Sequence, residues 1–149
     1  MTHQRITHMT KHLTRTTALA CMLAALSTSA MAQDLTITFS GLAHQSGTLK
    51  LVAYDSPAAF TQQQAWRVAQ QHVSGTQPEL ILRDVAPGQY SFMVYQDLNN
   101  DGRLNRNRFG MPTEPYGFSN NAMLTGAPQF PQLAVQITQQ SQNLKIRLR

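Results

Sequence analysis

The sequence predicts a mainly β chain folded as an antiparallel β-sandwich, with one short helix and one long ordered loop. Three observations predict it. Short segments with apolar residues at every second position recur along the chain. A Pro-Gly turn followed by an aromatic residue joins two of them. The stretch from Asn99 to Gln129 has almost no periodicity, yet it is rich in aromatics and turn residues.

The first element is not part of that fold. Arg5, Lys11 and Arg15 precede an uncharged apolar run from Thr16 to Ser29, and Ala30-Met31-Ala32 is a small-x-small cleavage sequence. This order is that of a secretory signal peptide over residues 1–32, and the run is too short to span a bilayer. Only five residues, Thr16 to Ala20, separate Arg15 from Cys21, too few for a lipidation signal, and Cys21 reads as an apolar member of the leader. The expected location is therefore periplasmic or secreted, with no membrane span after signal cleavage.

Residues 33–149 are the size of a single domain and can bury one core without covalent staples. They hold no cysteine, so no disulfide can form. Removing the three basic residues of the leader from the chain's twelve leaves nine against seven acidic ones, a net charge of +2. That balance gives no ground for nucleic acid as a partner.

In order, Leu35, Ile37 and Phe39 alternate with polar residues as a half-buried strand. Thr48 to Tyr54 is a second strand, and the HQSG turn (44–47) between them predicts a hairpin. Ser56 followed by Pro57 is a helix start. Ala59, Trp66, Ala69 and Val73 then fall at helical spacing, predicting an amphipathic helix from Pro57 to Gln71 with Trp66 as a packing residue. Glu79 to Val85 and Tyr90 to Asp97 are strands joined by the turn APGQY, with Phe92 and Val94 on the face of Tyr90. Leu133 to Ile137 and Leu144 to Arg149 complete six strands. In the last, Leu144, Ile146 and Leu148 face inward.

The candidate site lies in the aperiodic loop. In DLNNDGRLN (97–105), Asp97, Asn99 and Asp101 occupy positions one, three and five of a calcium-type loop. Gly102 supplies the bend, Arg103 a backbone carbonyl, and Asn105 stands at position nine. Alternate residues of a tightly turning chain aim oxygens at one centre, and calcium takes six to eight of them. Position twelve, the bidentate glutamate of an EF-hand, is Arg108 here, and no helical pattern flanks the loop. Two readings stand: calcium ordering the loop, or a turn held by Asx side chains bonded to backbone.

The run D-x-N-x-D-G-x-L-N followed by F-G-x-P-T-E-x-Y-G-F-S-N-N (97–121) resembles the signature of the bacterial family called domain of unknown function 2141. The preceding LRDVAPGQYSFMVYQD resembles its strand-turn-strand. The resemblance is densest over Arg83 to Asn121. It implies a sandwich akin to transthyretin-like and carboxypeptidase-regulatory modules, and no established activity. Gln96 stands where members often have histidine, and Asn105 where many have aspartate, so each removes a possible ligand.

For function, the residues favour a binding or accessory module, with a carbohydrate or peptide as the class of ligand. Glu114, Tyr116, Asn120 and Asn121 are its candidate ligand-binding residues, because aromatic faces beside amide donors suit such ligands. Phe109 and Phe118 are expected to plug the end of the sandwich. Glu114, stiffened between Pro112 and Pro115, can ligate a metal or accept backbone N–H groups. The alternative is a carboxylate-based hydrolytic enzyme using Asp97 and Glu114, which requires both to face an open cleft. No nucleophile elbow or zinc motif is present, and the only histidines after the leader are His44 and His72.

Overall fold

In a computed structural model, which describes residues 32–140 and 142–149, alternating strands build two sheets around one apolar core. The leader read over residues 1–32 lies outside the described residues except for Ala32. One sheet has the order β4 (Glu79–Val85), β1 (Gln33–Ser40), β8 (Gln142–Arg147). The other has the order β3 (Arg67–His72), β2 (Thr48–Tyr54), β5 (Gly88–Asp97), β6 (Tyr116–Phe118). A short β7 (Val135–Ile137) pairs with the start of β5.

The period of two decides which side chains meet. Leu35, Ile37 and Phe39 of β1 are fully buried, as are Leu49, Leu51 and Ala53 of β2. Tyr90, Phe92 and Val94 of β5 join them from one face. Each large member of this set contributes about 1.5–3 kcal/mol of hydrophobic stabilisation. Ile146 and Leu148 are buried and Leu144 packs against the core, so the last strand turns the expected face inward. At Gly117 a side chain would not fit, because a Cβ there would lie 2.7 Å from the Arg147 carbonyl oxygen of the opposite sheet.

Four expectations are corrected. The helix stops at Thr61: Ser56 caps α1 (Pro57–Thr61) through a bond from the Ala59 N–H, but Gln63 already has a φ of 55°. Residues 67–72 instead form β3, pairing antiparallel with β2, Leu51 opposite Ala69. As an edge strand β3 leaves Val68 exposed and Gln70 in solvent, so it lacks the apolar alternation of its neighbours. Trp66 does pack, its ring 4.9 Å from that of Tyr90.

The second correction is that β1 and β2 are not a hairpin; they belong to different sheets, and the 41–47 turn passes between them. Third, the arrangement is not wholly antiparallel, because β1 and β8 run parallel with Ile37 opposite Leu144. Fourth, the aperiodic stretch is not all loop. It contains β6 and the 3-10 turn Ser119–Asn121, and just beyond it Phe130–Leu133 forms the short helix α2, so that Leu133 belongs to a helix rather than to a strand.

Two backbone bonds tie the sheets along one side. Tyr116 N–H donates to the Arg149 carbonyl (3.1 Å) and Arg149 N–H donates back to Tyr116 (3.0 Å). Strands β3 and β4 form the opposite side. No described helix is long and apolar enough to cross a membrane.

Candidate functional site

Strand β5 alternates past its apolar stretch. Gln96 continues the inner face and Asp97 the outer one, and both are fully buried. The neighbours therefore do different work. Gln96 accepts from the Ala43 N–H (3.1 Å) and donates to the carbonyls of His44 (2.7 Å) and Ser46 (2.8 Å), bracing the 41–47 turn. Position 96 faces away from the 97–105 loop, so the expectation that a ligand for that loop is lost at Gln96 does not hold.

Asp97 opens the loop. Its two carboxylate oxygens accept the N–H groups of Asp101 (3.1 Å) and Gly102 (2.9 Å). Asn99 Oδ1 also accepts from Asp101 N–H (3.2 Å). Asp101 Oδ1 accepts from Arg103 N–H (2.9 Å), and its Oδ2 accepts the side-chain amides of Asn99 and Asn105, each at 3.1 Å. Two left-handed residues close the turn, Asn100 at φ 59° and Gly102 at φ 79°, and both types tolerate that region. Thr48 and Tyr95 anchor it to the sheet by donating to Asn100 Oδ1 (2.9 Å) and to the Gly102 carbonyl (2.8 Å). The bond from Arg103 N–H holds the Asp101 carboxyl below its ordinary range, with smaller help from Asn105 and Asn99. Burial, and then the charges of Asp97, Glu114 and Asp101, push the Tyr95 hydroxyl up.

Glu114 is the second anchor, only 7% exposed. One carboxylate oxygen accepts from Leu98 N–H (2.9 Å) and the other from Asn105 N–H (3.0 Å). It thus pins both ends of the turn. Neither Asp97 nor Glu114 faces an open cleft; both point at backbone amides, which removes the premise of the hydrolytic alternative. Ser119 is likewise occupied, its buried hydroxyl bridging the Phe92 N–H (2.9 Å) and the Leu133 carbonyl (2.5 Å). Both His44 and His72 are exposed and lie on other elements. Among the described residues no three His, Cys, Asp or Glu side chains gather as a metal-holding group.

The asparagines expected to meet a ligand are tied to the chain itself. Asn120 donates to the Ala134 carbonyl (2.7 Å). Asn121 accepts from Arg147 N–H (2.7 Å) and donates to the Lys145 carbonyl (3.3 Å), acting as a partner for the outer edge of β8. Their consecutive positive φ values of 59° and 49° explain why asparagine stands at both.

From Asn105 to Thr113 the chain forms a small hairpin. It is closed by Thr113 N–H to the Asn105 carbonyl (2.8 Å) and Asn107 N–H to the Met111 carbonyl (2.9 Å). Its tip carries Phe109, which is 74% exposed with the Arg108 guanidinium 4.7 Å from its ring centre. Phe109 therefore does not plug the sandwich, and Phe118, though only 8% exposed, packs beside Tyr116 on the outer face rather than in the core between the sheets.

Between this hairpin and the 124–128 segment lies a groove of about 450 Å³ on the outer face of β5 and β6. Met93, Tyr116 and Phe118 contribute from the sheet, Leu104 and Met111 from the hairpin side, and Leu124 from the far wall. Arg106 and Arg149 also line it. Tyr116 is the one expected ligand-binding residue that reaches this groove. Sequence reasoning missed Met93, Arg106 and Arg149, which come from separate segments and share no local motif.

A family model described as an uncharacterized protein conserved in bacteria (DUF2141) matches residues 37–145. No curated protein and no solved structure matches the chain.

Proposed function

The chain belongs to the DUF2141 family, and from that premise we propose that it is an exported, non-catalytic module that holds a small, largely apolar ligand in the groove over β5 and β6. One observation carries the reading. The signature residues spend their polar atoms on backbone, and what they build is the hairpin wall of a groove large enough for a single small ligand, a range that starts at about 300 Å³. A carbohydrate is disfavoured, because the amides of Asn120 and Asn121 are already committed. An extended peptide is disfavoured as well. Strand addition at the groove needs a free edge there, and that of β6 is taken at Tyr116 by Arg149. The kinship with transthyretin-like and carboxypeptidase-regulatory modules belongs to the same proposal, supported by the two sheets on one core.

The test is the fluorescence of N-phenyl-1-naphthylamine, an uncharged apolar probe, titrated with the 33–149 chain and with Gly126→Trp. Gly126 lines the groove, and a Cβ there meets nothing within 4 Å, so a bulky side chain is introduced at the groove wall without a backbone clash. Enhancement with the parent chain and its loss in Gly126→Trp are expected. Equal enhancement in both, or none in either, overturns the reading.

Calcium has a second, stabilising place in this proposal, favoured by one atom. Asn105 Oδ1 is buried with no partner, while the Asn105 and Asn99 amide nitrogens both meet Asp101 Oδ2. Turning the Asn105 amide over would give that orphan oxygen a place beside Asp101 Oδ2, while Asn99 Oδ1 already faces the turn as the acceptor of the Asp101 N–H. Asp97, Asn99, Asp101 and Asn105 would then hold the ion, with the Arg103 carbonyl as the expected fifth contributor. Calcium at a hundred times its dissociation constant would add about 2.7 kcal/mol. The expected outcome is a lower melting temperature in chelator than in calcium, abolished by Asp101→Ala. An unchanged melt removes calcium from the reading.

A further inference from the structure

The groove has a polarity that its apolar lining does not require. None of the chain's seven acidic residues lines it, while two arginines do. Among the described residues the ion pair present is Arg83 with Asp34, at the far sheet, so no acidic side chain pairs with the guanidinium group of Arg106 or Arg149. Both guanidinium groups are nonetheless held in place. Arg106 donates to the Gly110 carbonyl (2.8 Å) within the hairpin. Arg149 donates to the Ala122 carbonyl (2.5 Å), and its charge lies 5.5 Å and 5.7 Å from the ring centres of Tyr116 and Phe118.

A guanidinium carries five N–H donors in a fixed fork. One direct bond for Arg106 and two for Arg149, counting its contact with Met123 sulfur, leave donors unspent on each. Fixed cations beside Met93, Met111, Phe118 and Leu124 make a surface with one charged margin and one oily floor.

Resting on the groove as the ligand site, the geometry points to an amphiphile with a single anionic headgroup as its occupant: a monomeric alkyl carboxylate. The carboxylate meets the arginine fork, and the alkyl chain covers the methionine and phenylalanine side chains. Charge complementarity selects the sign of the headgroup, because a cationic ligand would bring like charge to two guanidinium groups and an uncharged one would leave their remaining donors to water. The volume selects one chain rather than a protein segment.

The experiment displaces N-phenyl-1-naphthylamine from the 33–149 chain with decanoate, decanol and decylammonium, which share a tail and differ in headgroup. Decanoate is expected to bind about tenfold more tightly than decanol, the size of one charge-assisted hydrogen bond. Decylammonium is expected to be the weakest. The preference, read as the ratio of decanoate to decanol affinity within one variant, should shrink in high salt and disappear in Arg149→Gln. Arg106→Gln provides a second variant should the first perturb the backbone pairing at Tyr116. Equal displacement by all three compounds overturns the anionic headgroup while leaving the apolar groove standing. Failure of the uncharged probe to bind at all would instead remove the groove as a site. Co-sedimentation with phosphatidylglycerol vesicles that decanoate does not reverse would overturn the monomeric ligand in favour of a membrane surface.

Discussion

The turn at the end of β5 and the groove beside it are neighbours built from the same stretch of chain, and they treat polar atoms in opposite ways. In the turn, each oxygen of the Asp97 and Glu114 carboxylates accepts an N–H group, from Leu98, Asp101, Gly102 and Asn105. In the groove, Arg106 and Arg149 keep free donors and have no acidic side chain beside them. A buried polar group with all its bonds made is holding the fold, and a positioned charge with bonds to spare is waiting for something outside it. By that criterion the residues with the most conspicuous motif are structural, and the ones with no motif line the groove.

The comparison breaks most decisively at Glu114. Glu114→Ala leaves two backbone N–H groups without their carboxylate and should cost about 3 kcal/mol in chemical denaturation. Because the hairpin loses its footing, probe binding in the groove should fall with it. A variant as stable as the parent would show that the carboxylate is not a structural anchor. Gly117→Ala comes next, at about 1–3 kcal/mol, since the new Cβ must displace the Arg147 carbonyl or Ile146. Here the sheets are forced apart without touching the turn, so calcium sensitivity should be retained while stability drops.

The smallest effect sharpens the comparison through pH. The folded-state pKa of Asp101 is lowered from 3.8 by Arg103 N–H, so its contribution to stability is present above that value and is lost as pH falls through the lower folded one. Melting temperatures of the parent and Asp101→Asn should therefore differ at neutral pH and converge in acid. Parallel curves down to strong acid would mean that the exposed carboxylate does nothing for the turn.

Much of this was legible in the chain. Alternation marked β1, β2, β4, β5 and β8, because each turns one face to a shared core. β3 was hidden because it is an edge whose exposed Val68, Gln70 and intervening alanine also read as a helix. Pairing was not legible at all: adjacency suggested β1 with β2, yet β1 sits between β4 and β8. In the site, spacing revealed the turn through Asp97, Asn99, Asp101 and Gly102. It could not decide whether those oxygens would meet an ion or amides, since both uses demand the same bend. Arg149 and Met93 lie more than fifty residues apart, and only the folded sheet makes them neighbours.

The parallel pairing of β1 with β8 also sets an order in time. β1 needs a partner on each side, and one of them is the last strand of the chain, Leu35 pairing with Gln142. Until that segment arrives, the three-stranded sheet has only two strands, and the floor against which Gly117 packs is missing. Contacts of such long sequence separation form slowly. The groove is therefore a late product of folding, finished when Arg149 reaches Tyr116, and a chain caught before that moment would have its signature turn but nowhere to put a ligand.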